Sequence, residues 1–184
     1  MARSSTKKYV AFLRGINVGG NNKVKMDELK KTLGKLGLQN VATLIASGNV
    51  SFDAAEQDEA MLAGTIEKAL EKKFGFAIPT VLRSSDEIAA LVKADPFKGI
   101  AVTPATRLYV TFLKEEPASK PAVKIPYASA SGEFRIIAAA PREIFSVLQL
   151  TDSRTVDLMG MIEKEWGKKV TTRNWNTVVK MAQK

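Results

Sequence analysis

Cysteine and histidine are both absent from this 184-residue sequence. The lack of cysteine rules out a disulfide framework and fits a reducing compartment, so the cytoplasm is the expected location. With neither residue there is no Ser-His-Asp triad, no cysteine nucleophile and no ordinary zinc or iron site. Any catalysis would rest on carboxylates, Lys, Arg, Tyr, hydroxyls or a borrowed cofactor, and nothing indicates which cofactor. Magnesium would need clustered carboxylates, which no motif supplies, so no metal site is expected. Long apolar runs are lacking as well: none approaches the eighteen or so residues of a transmembrane helix. The start from Met1 to Lys8 is polar and basic, without the apolar stretch and cleavage site of a signal peptide. No membrane partner is expected.

What is present suffices for a core. At 45% hydrophobic, the chain suits one large domain or two small ones. Its net charge of +9 is uneven. Residues 1–35 hold nine Lys/Arg against two acids, and residues 164–184 hold six against one. The middle carries a small acidic excess, so all of the basic surplus lies at the two ends. If the ends meet, they form a positive patch that attracts phosphates. Solvated helix and turn charges at Lys30, Lys31, Lys35, Lys168 and Lys169 are the plainer alternative.

Periodicity gives the order of elements. Tyr9-Val10-Ala11-Phe12-Leu13 is a short apolar run suited to a central strand. Met26, Leu29, Leu33 and Leu36 form one helical stripe, with Gly37 as the stop. Val41–Ala46 and Val50–Phe52 read as strands joined by a hairpin turn at Ser47-Gly48-Asn49. A helix fits Gln57–Phe74 before Gly75, a strand fits Ala77–Leu82, and Ser85 or Asp86 caps a short helix through Val92. This β-α-β-β-α-β order is that of a ferredoxin-like unit, an antiparallel sheet with helices on one face and the first strand central.

The second half echoes the first. Tyr9-Val-Ala-Phe-Leu-Arg14 returns as Tyr109-Val-Thr-Phe-Leu-Lys114, and Thr80-Val-Leu-Arg83 as Val170-Thr-Thr-Arg173, each of the latter pair ahead of a short helix. Strands are expected at Phe134–Ala138 and Ile144–Leu148 around a Pro141-Arg142 turn, and a helix at Asp157–Trp166. The expectation is an α+β protein of two related subdomains arising by duplication, 1–100 and 101–184, with the boundary near 96–106. Pro117, Pro121 and Pro126 interrupt the place of the second unit's first helix, which should be short or lost.

Three segments are candidates for chemistry. In the loop from Arg14 to Lys23, Gly15, Gly19 and Gly20 permit positive φ, so bare amides near Asn17 could line an anion nest with Arg14 and Lys23 supplying charge. The spacing is neither a Walker loop nor G-x-G-x-x-G, and an irregular crossover needing glycine explains it equally well. Thr172, Arg173, Asn174, Trp175 and Asn176 pack an arginine, an aromatic ring and two amides into one turn. Such a set can hold a base or a phosphate. Alternatively Trp175 is core, on one face with Val178, Val179 and Ala182, and Asn174 or Asn176 is an N-cap. Ser47 and Asn49 carry the weakest claim, since a turn needs those residue types.

These segments also carry a resemblance. Tyr9–Gly20, Ser47–Val50 and Thr172–Val178 are similar to three recurring motifs of a bacterial family called domain of unknown function 1697. The resemblance implies two related α+β subdomains and brings no established activity, cofactor or catalytic residue. The leading functional expectation is a binding module for a phosphate-bearing partner, a nucleotide or RNA. Against RNA, the strands lack the aromatic-rich RNP1 pattern. A second reading is an enzyme using Arg14, Lys23 and Arg173 on a small anionic substrate, for which no general base can be named. A third is a structural or assembly protein whose motifs join the two halves. No feature sets the oligomeric state.

Overall fold

The apolar run that opens the chain becomes β1 (Thr6–Leu13), which is buried on both faces from Tyr9 to Leu13 and pairs with a strand on each side. Residues 5–117, 121–151 and 158–184 are described by this computed structural model. Their contacts divide the chain into two units, Met1–Ala90 with Lys180–Lys184, and Leu91–Val179. The change between them falls inside a helix, ahead of the expected boundary region 96–106.

In the first unit, β1 is followed by α1 (Met26–Gly34), β2 (Gln39–Leu44), β3 (Asn49–Ala55), α2 (Glu59–Phe74) and β4 (Thr80–Ser84). The strand order is β2-β3-β1-β4 and all pairs are antiparallel, so the first strand is central as predicted. Tyr9, Ala11 and Leu13 pack in one cluster with Leu29 and Leu33 of α1 and Ile66 and Leu70 of α2. Both helices therefore cover the same face. The predicted stripe explains α1, except that Leu36 lies beyond the helix end, where a tight turn runs to the left-handed Gly37.

Several boundaries move by a residue or two for identifiable reasons. Asp58, not Gln57, starts α2, its Oδ1 accepting from the Met61 amide at 2.8 Å. Pro79 delays β4, since it has no N–H to donate; its carbonyl accepts from the Arg14 amide at 2.8 Å. The next helix, α3 (Ser85–Ala94), is capped by Ser84, not by Ser85 or Asp86. Ser84 Oγ accepts from the Glu87 amide at 3.2 Å, and Glu87 Oε2 accepts from the Ser84 amide at 2.8 Å. That reciprocal pair is a capping box, which selects the serine three residues before the glutamate.

The second unit holds β5 (Thr106–Leu113), β6 (Tyr127–Ala128), β7 (Phe134–Ala139), β8 (Glu143–Gln149), α4 (Leu158–Trp166), β9 (Val170–Asn174) and most of α5 (Trp175–Met181). Its antiparallel sheet has the order β6-β7-β8-β5-β9. Asp157, the expected first residue of α4, lies outside the described residues, as do 118–120 of the proline-bearing stretch. Among the described residues between β5 and β6 there is no helix. Leu113, Ile136, Ile144, Leu158 and Ile162 form the core with Trp166 packed against it.

The two central strands share a register. Val10 pairs with Arg83 across β1 and β4, and Val110 pairs with Arg173 across β5 and β9. Each arginine also turns its Nη1 onto the carbonyl of the preceding residue, Leu82 at 2.7 Å and Thr172 at 2.9 Å.

One buried group in the second core has no partner among the described residues, the hydroxyl of Ser146 on β8. Desolvating a hydroxyl without a hydrogen bond costs free energy. Ser146→Ala is therefore expected to hold or raise stability, by up to about 1 kcal/mol, in urea denaturation. A loss of stability would show that the hydroxyl has a partner.

Candidate functional site

Two of the candidate segments meet at one end of the first sheet. The loop after β1 has left-handed backbone at Gly15, Asn17, Gly19, Gly20 and Asn22, and asparagine tolerates that conformation better than other side chains. Asn17 holds the loop down with its whole amide. Its Nδ2 donates to Val24 O at 3.0 Å and Ala46 O at 2.8 Å, while its Oδ1 accepts from the Val24 amide at 2.8 Å. The turn before β3 is tied to the same place, because the Leu13 amide donates to Gly48 O at 2.8 Å. Asn49 is wholly buried and is the first residue of β3, not part of the turn. Its Nδ2 donates to Leu44 O at 3.1 Å and Ser47 Oγ at 3.0 Å.

Asn17, Ser47 and Asn49 are thus brought together, and their hydrogen bonds hold three backbone segments in place. Gly19, Gly20 and Lys23 stand exposed on the outer side of the loop, and Arg14 is half-buried at its base.

Thr172, Arg173, Asn174, Trp175 and Asn176 lie in the second unit. The Thr172 hydroxyl is 2.7 Å from that of Thr111. Arg173 also donates to Thr171 Oγ1 at 2.8 Å. Burial pushes its pKa down to about 10, which leaves the guanidinium charged at neutral pH. This lowering has a signed consequence. Between the folded and the ordinary value the unfolded state binds more protons, so Arg173 adds stability as pH rises past 10. Compared with wild type, Arg173→Met is expected to keep a constant difference in Tm from pH 6 to 9 and to lose ground above pH 10. A difference that moves the other way at alkaline pH would contradict a charge held at a desolvation cost.

Asn174 caps α5, its Oδ1 accepting from the Asn176 amide at 3.0 Å. Trp175 meets Phe97 at 5.2 Å between ring centroids, inclined at 60°. Phe97 in turn meets Phe145 edge-on at 6.1 Å. Trp175 is only half-buried, and it lines a recess of about 460 Å³ together with Asp95, Phe97, Arg107, Asn174 and Asn176. Arg107 donates from Nη1 to Pro104 O at 2.7 Å and Thr106 O at 3.0 Å.

Sequence reasoning missed Asp95, Phe97 and Arg107. Phe97 fell in the expected boundary region 96–106 with Asp95 just before it, and Arg107 precedes the apolar part of its strand. A charge opening an otherwise apolar strand was the available signal.

A second recess, of about 390 Å³, is lined by Glu28, Lys31, Thr32, Lys35 and Lys73 of the first unit. Its lysines stand at the C-terminal ends of α1 and α2, where cations complement free carbonyls, and Lys73 pairs with Glu28 at 3.4 Å. Helix-end electrostatics accounts for these lysines. Among the described residues no group of three or more Asp or Glu is placed to hold a metal ion, and no helix is long and apolar enough to cross a membrane.

Comparison with known proteins decides the family. Residues 6–145 match the family described as protein of unknown function DUF1697. The chain belongs to DUF1697. The matched span includes the Tyr9–Gly20 and Ser47–Val50 segments and ends before Thr172–Val178. A solved structure, that of the conserved bacterial protein SP0830 from Streptococcus pneumoniae, is similar with a TM-score of 0.69. That similarity covers 97% of this chain and 98% of that one at 22% identity, and carries the fold alone. No curated protein matches the sequence.

Proposed function

We propose that this DUF1697 protein is a binding module for a small phosphate-bearing ligand of nucleotide size, seated in the recess beside Trp175. The observation that carries the reading is that half-buried Trp175 and Arg107 line one concavity of about 460 Å³. That volume falls in the range of about 300–1,000 Å³ typical of small-molecule sites. Trp175 would stack on a flat ring, Arg107 would take the phosphate as a planar bidentate donor, and the Asn174 and Asn176 amides would orient the ligand. Volume favours a mononucleotide over a folded RNA. The Asn17 loop and the Ser47–Gly48 turn with Asn49 act in this reading as architecture, because Asn17 bonds to backbone groups of Val24 and Ala46 and Asn49 bonds to Leu44 O and Ser47 Oγ.

We further infer that the two units descend from one by duplication. Support comes from the shared register of Val10 with Arg83 and Val110 with Arg173, on top of the sequence echo. A cytoplasmic location belongs to the same proposal.

Trp166 and Trp175 are the only tryptophans, so a Trp166→Phe background reports on the recess alone. Titration with AMP, inorganic phosphate and a single-stranded RNA oligomer at low and high salt should show saturable quenching by AMP. Arg107→Gln should weaken it roughly tenfold or more, the size of a hydrogen bond to a charged group. No saturable change with AMP, or the same affinity in Arg107→Gln, defeats the proposal. Quenching by RNA alone with steep salt dependence transfers the reading to nucleic acid.

A further inference from the structure

The recess is bordered by an acidic residue that a phosphate site does not need. Asp95 lines it together with Arg107, Asn174, Trp175 and Asn176, so one acidic and one basic residue border the same space. Asp95 follows α3 with left-handed backbone at φ 43°, a conformation that aspartate and asparagine tolerate better than other side chains. Its backbone is held at both ends, the amide donating to Val92 O at 3.2 Å and the carbonyl accepting from the Lys98 amide at 3.0 Å. The side chain is exposed and has no hydrogen bond or ion pair among the described residues.

An ionised carboxylate is purely an acceptor and repels phosphate. In a site of this size it suits a ligand that offers hydroxyl donors at one end and a single anionic group at the other. Two neighbouring hydroxyls satisfy both oxygens of one carboxylate, the chemistry by which an acidic side chain holds a ribose in dinucleotide sites. A chain of phosphates would bring extra negative charge toward Asp95 with only Arg107 to offset it.

We infer that Asp95 is the specificity-determining residue of this recess and selects a ribonucleoside monophosphate by its 2′,3′-diol. This inference rests on the binding reading above. The base lies against Trp175, the phosphate is held by Arg107, and the diol donates to Asp95. Arg107 thus governs affinity for the anion, and Asp95 governs the choice of sugar and the number of phosphates.

The test compares AMP, 2′,3′-dideoxy-AMP and ATP by Trp175 fluorescence in the Trp166→Phe background, with and without Asp95→Asn. Asparagine keeps the left-handed backbone while removing the charge. AMP should bind the parent roughly tenfold or more tighter than the dideoxy compound, since hydrogen bonds to a charged acceptor are at stake. In Asp95→Asn that ratio should fall to a few-fold, and ATP should gain on AMP. Equal affinity for AMP and its dideoxy analogue overturns the inference and leaves the binding reading standing. A preference that Asp95→Asn does not change overturns it too, because the selection then has another source. Failure of every nucleotide to bind removes both.

Discussion

Gly48→Ala is expected to destabilise the protein by about 2–4 kcal/mol, from left-handed strain and overpacking together. Gly48 has φ 79°, where an L side chain meets its own backbone. A Cβ added there would also stand 2.8 Å from Leu13 Cβ, 3.0 Å from Ile16 Cδ1 and 3.1 Å from Leu13 O. Leu13 and Ile16 are both 1% exposed, so neither can swing into solvent to make room. The bond from the Leu13 amide to Gly48 O at 2.8 Å fixes the approach, and moving the turn away would break it. Gly19→Ala separates the two causes. Gly19 has φ 59° with nothing within 4 Å of the added carbon, so its cost is conformational alone, about 1–2 kcal/mol. Denaturant titration of both variants gives the comparison. Equal losses would mean that the turn yields and that the close contact carries no cost.

Position in the sheet explains why much of this fold was legible. The run Tyr9–Leu13 is apolar without alternation because both faces of β1 are buried where it lies between β3 and β4. The echo at Tyr109–Leu113 marks β5 for the same reason. Helix ends were less legible, since Ser84, Ser85 and Asp86 are all capable caps and only the partner at Glu87 decides among them. The short β6 was missed because two residues carry no periodicity, and the prolines around it read as loop.

The candidate site divides along a similar line. Asn17, Ser47 and Asn49 were visible as residue types that either bind ligands or shape loops. Choosing between those roles requires knowing where each amide points. Asn174 and Trp175 were visible as a dense polar and aromatic turn. Asp95, Phe97 and Arg107 join them only through folding, from positions about seventy to eighty residues away in the chain. No local pattern links an Asp-Pro-Phe stretch to a turn that distant.

Asn17 is where the architectural and ligand readings of the first motif part most sharply. Asn17→Ala should cost about 2–4 kcal/mol, because two carbonyls and one amide lose their partner and alanine is strained at φ 55°. Asn17→Gly removes the same hydrogen bonds without the strain, so it should cost about 1 kcal/mol less than the alanine variant. Asn22→Ala makes a milder reference, since that side chain holds only Gly15 O, at 2.9 Å. Stability by denaturant and AMP affinity by fluorescence should be measured on the same samples. The architectural reading requires large losses of stability in the order alanine, glycine, wild type, with the affinity of the folded fraction unchanged. Near-normal midpoints in both variants would defeat the architectural reading. The Asn17 amide already makes three hydrogen bonds to backbone, so a ligand would have to displace one of them, and that displacement is the costly step.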